Sequence, residues 1–138
     1  MFLLDTNVLS AMMDELHPLL ADWLAGTPQR FVYTASVCQA EILAGIATLP
    51  IGRRRTGLEA TAGAMFGEDF RDKVWPFDGE AAVAYAEIFA GRRNAGRHTK
   101  PLDLMIAAIA LSRGASVVTR NVRDFDGCGV AVINPWNE

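Results

Sequence analysis

The chain is poor in the residues from which many catalytic and metal sites are built. Its 138 residues include two histidines, His17 and His98, and two cysteines, Cys38 and Cys128. Neither histidine falls at the end of an apolar strand-like run. That placement argues against histidine acid–base catalysis, and both read as ordinary surface residues. The cysteines stand far apart and match no CxxC spacing. They read as small buried hydrophobes in a reducing compartment rather than as a disulfide or zinc ligands. No apolar run reaches the ~20 residues of a membrane span, and the N-terminus lacks the basic segment and cleavage site of a signal peptide. A soluble, cytoplasmic protein beginning at or near Met1 is expected. Basic residues are not in excess either: 13 Lys and Arg against 16 Asp and Glu give a net charge of −3. That balance weighs against a dedicated nucleic-acid coat protein, yet it allows an acidic pocket with a basic rim.

What the chain does have is apolar material, 51% of its residues, enough at this length for one domain with a proper core. No repeat, low-complexity tract or linker divides it, so residues 1–138 read as a single domain. Short β-branched or aromatic runs at Phe2–Leu4, Phe31–Tyr33, Val74–Phe77, Ser116–Thr119 and Val130–Ile133 read as strands. Helical patterns lie between them: Val8–Asp14, Leu19–Ala25, Val37–Thr48, Arg54–Phe66, Ala81–Arg93 and Leu102–Arg113. This alternation predicts an α/β fold with a central, mostly parallel sheet of four to five strands and helices on both faces.

Charge spacing says more than charge count. Asp5 is the only charged side chain before Asp14, Glu41 the only one between Arg30 and Arg53, and Asp103 the only one between Lys100 and Arg113. Each has a neutral explanation. Asp5 can cap the next helix with Thr6 or Asn7, Glu41 can be an exposed position on a buried helix, and Asp103 can favour the first turn of its helix. One explanation covers all three, because ligands of an open parallel sheet bind beyond the carboxyl ends of the strands. Crowded carboxylates repel unless a cation joins them, and oxygen-only ligands select a hard ion such as Mg²⁺ or Mn²⁺. In the segment TRNVRDFDG, Thr119 ends a strand, and Asn121 and Asp124 follow. Asp124 either completes the acidic group or caps a turn before Phe125; Asn121 offers an amide oxygen.

These residues resemble a known family. LLDTNVLS at the start, a Glu in the helix after the second strand, an Asp opening a late apolar helix, TRNVRDF and the ending GVAVINPW are similar to the PIN domain. Within it they most resemble the VapC-type toxins of bacterial toxin–antitoxin pairs, over Phe2 to Trp136. The resemblance implies a PIN-like three-layer α/β/α fold and a divalent-metal-dependent ribonuclease using Mg²⁺ or Mn²⁺. It implies Asp5, Glu41, Asp103 and Asp124 as catalytic, metal-binding acids, with Thr6, Asn7, Thr119 and Asn121 in support. The family often has an acid directly after Thr-Arg, where this chain has Asn121; Asp124 is the substitute. It further implies an RNA substrate, an antitoxin covering the acidic cleft, and a homodimer.

RNA needs a basic track. Arg97 and Lys100, in the cluster that also holds Arg92, Arg93 and His98, lead into Asp103, and Arg120 and Arg123 flank the site motif; these are the candidate RNA contacts. The run Arg53–Arg55 reads as a solvated helix end. Two rival functions remain. A haloacid-dehalogenase-like phosphatase needs an acid where Asn7 stands. A receiver-like domain needs a phosphoacceptor, for which Asp78 is the only candidate, and a lysine after a late strand. A PIN fold that binds without cutting is a third.

Overall fold

A computed structural model describes residues 1–98 and 100–137. Its strands are β1 (Phe2–Leu4), β2 (Val32–Ala35), β3 (Val74–Trp75), β4 (Ser116–Val118) and β5 (Val132–Ile133). The helices are α1 (Thr6–Met13), α2 (Pro18–Ala25), α3 (Ser36–Ala47), α4 (Arg53–Ala64), α5 (Gly79–Asn94) and α6 (Pro101–Ser112). The five strands form one sheet in the order β3-β2-β1-β4-β5, and every pairing is parallel. The expected mostly parallel sheet is therefore wholly parallel.

The strand order positions the site. From β1 the chain steps through β2 to β3 at one edge, then crosses to β4 on the other side of β1 and on to β5. Right-handed crossovers running in opposite directions place their helices on opposite faces, which gives the α/β/α layers. The reversal falls between β1 and β4, where Leu3 pairs with Val117 and Leu4 with Val118. Beyond the carboxyl ends of these two strands a crevice opens at the switch point. Asp5 and Thr119 are the first residues past those ends.

The core explains the element choices. Leu3, Leu4, Val117 and Val118 are fully buried, because β1 and β4 lie inside the sheet and are covered on both faces; such strands read as continuous apolar runs. In α6, Leu104 and Ile106–Ala110 are all buried. A helix apolar nearly all round is a core helix, and its alanines let α5 approach through Ala81, Ala84 and Ile88. Pro18 is the first residue of α2, with the His17 side chain as N-cap: Nδ1 accepts from the Leu19 N–H at 3.1 Å. A proline is at home there, since its missing N–H would be unpaired anyway. The helix expected to continue to Phe66 changes instead to a π turn at Met65–Asp69. This turn buries Met65 and sets Phe70 into the core. The strand expected over Val74–Phe77 stops at Trp75, whose ring stacks on Tyr33 at 4.2 Å.

Candidate active site

Asp5 is nearly buried, 5% exposed, and every one of its carboxylate hydrogen bonds is local to the switch point. Its Oδ1 accepts from the Thr6 N–H at 2.8 Å, which caps α1. Its Oδ2 accepts from the Thr119 hydroxyl at 2.8 Å and from Asn7 Nδ2 at 3.2 Å. The main chain fixes the same residue, since Asp5 N donates to Val118 O at 2.9 Å. The aspartate is thus anchored by the strand that precedes it, the helix that follows it and the neighbouring strand end.

Thr119 and Asn7 complete this anchor. The fully buried Thr119 hydroxyl donates to Asp5 and accepts from Asn7 Nδ2 and from the Asn121 N–H, both at 3.0 Å. One donor and two lone pairs are all in use. Asn7 donates to Asp5 and Thr119, and its Oδ1 accepts from the Arg120 N–H at 3.0 Å. Asn121, where the family pattern leads one to expect an acid, starts a 3₁₀ turn over Val122–Phe125. That turn is pinned by Phe125, 1% exposed, and carries Asp124.

Three further carboxylates reach the same crevice. Glu41, one turn and a half into α3, accepts from the Thr6 hydroxyl at 2.6 Å; Thr6 therefore joins Asp5 and Glu41 through its two polar groups. Asp103 lies in the first turn of α6, after Pro101. Asp124 accepts from Lys100 Nζ at 3.0 Å. The electrostatics show how closely the acids face one another. Burial pushes the Asp5 carboxyl above its ordinary value, and the charges of Glu41 and Asp124 push it further, against the hydrogen bonds from Thr119 and Thr6. Burial also raises Asp103, to about 6, with Asp124, Asp5 and Glu41 adding to it and Lys100 opposing. Four acids from four parts of the chain thus share one field.

Among the described residues, no three acidic, histidine or cysteine side chains converge tightly enough to grip one bare ion. Glu41 is tethered to Thr6 and Asp124 to Lys100. An oxygen-only, anionic set of this openness suits a hard divalent cation that keeps part of its water, as Mg²⁺ does. It does not suit zinc, which takes four close N and S ligands. Cys38 lies under the site with its thiol pushed up to about 12, chiefly by burial, so it is an inert core residue.

A family model for the PIN domain matches residues 2–127. The chain belongs to the PIN-domain family. This PIN domain is 38% identical over 137 residues to the plasmid stability protein StbB of Pseudomonas syringae pv. tomato, covering 99% of each chain. It is 31% identical over 137 residues to the VapC ribonuclease Y4jK of Sinorhizobium fredii, covering 99% of this chain and 98% of that one. Among solved structures it matches FitAB bound to an IR36 DNA fragment with a TM-score of 0.92 at 31% identity, covering 100% of this chain and 97% of that one.

The other candidates sort differently in space. Arg97, Lys100 and Arg123 line one cavity beside Asp124. Arg120 does not join them: its guanidinium lies over the Trp136 ring, 5.4 Å from the centroid, and lines a separate hollow with Asn7 and Ser10. Asp78, the receiver-like candidate, is not among the acids acting on Asp5 and Asp103. It caps α5 by accepting from the Ala81 N–H at 3.0 Å and meets Arg113 at 3.4 Å. Arg92, counted in sequence as one of a basic cluster, is buried at 8% exposure. Its Nη2 donates to His98 O at 2.6 Å, and its Nη1 to Asp126 O and, at 3.7 Å, to Cys128 Sγ. It clamps the loops on either side of Asp124. The signal for this was its spacing: Arg92 continues the buried stripe Ala81, Ala84, Ile88 along one face of α5.

Proposed function

We propose that this PIN domain is a Mg²⁺- or Mn²⁺-dependent ribonuclease acting as the toxin of a toxin–antitoxin pair. The observation that carries the reading is the shared field of Asp5, Glu41, Asp103 and Asp124 at the switch point of the sheet. A cluster of carboxylates that raise one another's proton affinity is costly for a fold without a cation. The relative named as a VapC ribonuclease supports the same chemistry.

A divalent ion held there would supply an activated water and neutralise the phosphate oxygens of an RNA backbone. Asp5 and Asp103 would be its main ligands, with Glu41 and Asp124 holding it directly or through water. The chain's own residues do the positioning. Thr119 and Asn7 keep the Asp5 carboxylate aimed into the crevice, and Thr6 keeps Glu41 in reach. Lys100 holds Asp124 at the lip. The antitoxin partner is supported by the FitAB structure and by VapBC complexes among the neighbours, such as the one from Mycobacterium tuberculosis at 30% identity and a TM-score of 0.72. We expect a segment of that partner to cover the crevice, and the chain to pair with a second copy of itself. Among the described residues no helix is long and apolar enough to cross a membrane, and we place the protein in the cytoplasm.

The test is RNA cleavage by purified protein. Activity with Mg²⁺ or Mn²⁺ that is lost with EDTA and lost in Asp5→Asn supports the assignment. Activity that survives both means a different mechanism, and no activity on any RNA leaves a PIN fold that binds without cutting.

A further inference from the structure

We propose that the cavity on the far side of Asp124 is a phosphate subsite, which seats a neighbouring phosphodiester of the same RNA strand. The inference rests on the ribonuclease reading and adds where the strand leaves the site. The cavity has a volume of ≈ 270 Å³ and is lined by Arg92, Arg97, His98, Lys100, Arg123 and Asp124. Four permanent cations therefore meet one carboxylate. Three other cavities touch the acids or their anchor, and none has an excess of cations: one of ≈ 440 Å³ beside Glu41 has no basic residue in its lining. The groove of ≈ 400 Å³ beside Thr6 and Glu41 sets Arg54 against Asp14 and Glu41. The hollow of ≈ 510 Å³ beside Asn7 sets Arg120 against Asp14 and Glu15. A polyanion threading past the acids finds one exit of matching sign.

One wall of the cavity is tied down by hydrogen bonds. Arg92 forms this buried wall and donates through Nη1 and Nη2 to the carbonyls of Asp126 and His98, tying the segments on both sides together. Arg97 pairs with Asp126 at 3.2 Å and lies across Gly127. There φ is +74°, which favours glycine, and an added Cβ would press on the Arg97 guanidinium at 3.3 Å. Lys100 is shared with Asp124. Arg123 is exposed and has no carboxylate partner in the ion pairs among the described residues. It is the cation with its charge to spare, and its neighbour in the chain is Asp124 of the acid cluster. Because Asp124 borders both spaces, the subsite adjoins the bond being cut.

The test separates binding from cutting. A fluorescein-labelled ten-nucleotide single-stranded RNA is titrated with full-length protein in EDTA at several salt concentrations. Arg123→Gln is compared with Arg123→Lys and with Arg30→Gln. Arg30 is a fair control because it removes the same charge from the amino end of the parallel strands, just before β2, where it lies over Phe31. One phosphate contact of a single strand contributes about −0.7 to the slope of log K against log salt. The expected result is a slope flattened by about 0.7 and affinity reduced about 3- to 10-fold for Arg123→Gln. Arg123→Lys should retain the slope and Arg30→Gln should match the wild type. Equal effects of Arg123→Gln and Arg30→Gln, or no change in slope for either, would overturn the subsite. The ribonuclease reading fails separately: wild-type protein that shows the Arg123-dependent slope but cuts no RNA with metal keeps the subsite and loses the enzyme.

Discussion

Replacing Asp103 with asparagine should make the metal-free protein more stable while removing its activity. The carboxyl of Asp103 is raised from 3.8 to about 6, chiefly by burial and then by Asp124 and Asp5. The folded protein therefore holds this proton more tightly than the unfolded chain does. Below the unfolded value both states are protonated and the charge costs nothing. As pH rises through the folded value the native state must accept an unwelcome anion, and stability is lost. At 1.36 kcal/mol per unit the gap is worth about 3 kcal/mol, and because the group is only half-buried, screening by solvent reduces this to about 1–2 kcal/mol. The asparagine of the variant stays neutral at every pH. Urea unfolding in EDTA should thus find Asp103→Asn more stable than wild type by about 1–2 kcal/mol at pH 8 and equal to it near pH 4. Adding millimolar Mg²⁺ at pH 8 should raise the wild type, since a ligand of the native state stabilises it by mass action, and should raise the variant less. An advantage independent of pH, or a variant less stable than wild type at pH 8 without metal, would refute the electrostatic account of the site.

Three further expectations follow from the same geometry. Thr119→Val removes the hydroxyl that serves Asp5, Asn7 and the Asn121 N–H; unfolding should cost about 2–3 kcal/mol less and cleavage should fall with it, whereas Thr119→Ser should recover most of both. Arg92→Met leaves the His98 and Asp126 carbonyls without their donor. A loss of about 1–3 kcal/mol is expected, together with faster amide hydrogen exchange in residues 95–98 and 121–129 but not in β1. Phe125→Ala empties a fully enclosed site under Asp124. It should cost about 3–5 kcal/mol by urea titration, and the pairing of Lys100 with Asp124 should weaken, visible as a smaller salt dependence of the Lys100 titration.

The parts of the site that were legible in the sequence are those where charge sits against the grain of its surroundings. Asp5, Glu41 and Asp103 each interrupt an apolar stretch, and the strand–helix alternation placed Asp5 after the first strand, Glu41 in the helix after the second and Asp103 near the start of a late helix. The sheet order could not be read from these patterns, because parallel strands of two to four residues carry no register signal of their own. Pairings between distant segments were equally silent. Nothing in the local sequence says that Lys100 meets Asp124 or that Arg120 turns to Trp136 rather than joining Arg123. Arg92 misleads for a different reason: its charge suggests a solvated helix end, while its position on the α5 stripe points inward. Periodicity and charge give opposite answers there, and burial follows periodicity because two carbonyls are available to receive the guanidinium. The π turn after Ala64 also has no sequence marker, since Met65 and Phe66 continue a helical pattern until Phe70 takes the core position.

The junction of β1 with β4 has a consequence for how the protein is made. Asp5 is synthesised 114 residues ahead of Thr119, whose hydroxyl orients it, and Phe2 has its strand partner at Ser116. Contacts this distant along the chain form late, because the loop between them must first be closed. A ribosome holding a partly translated copy therefore presents the first acid without its anchor, its neighbouring strand or the turn bearing Asp124. The site thus assembles only after β4 and the turn that follows it are free, and a product truncated before Thr119 lacks the hydroxyl that orients Asp5.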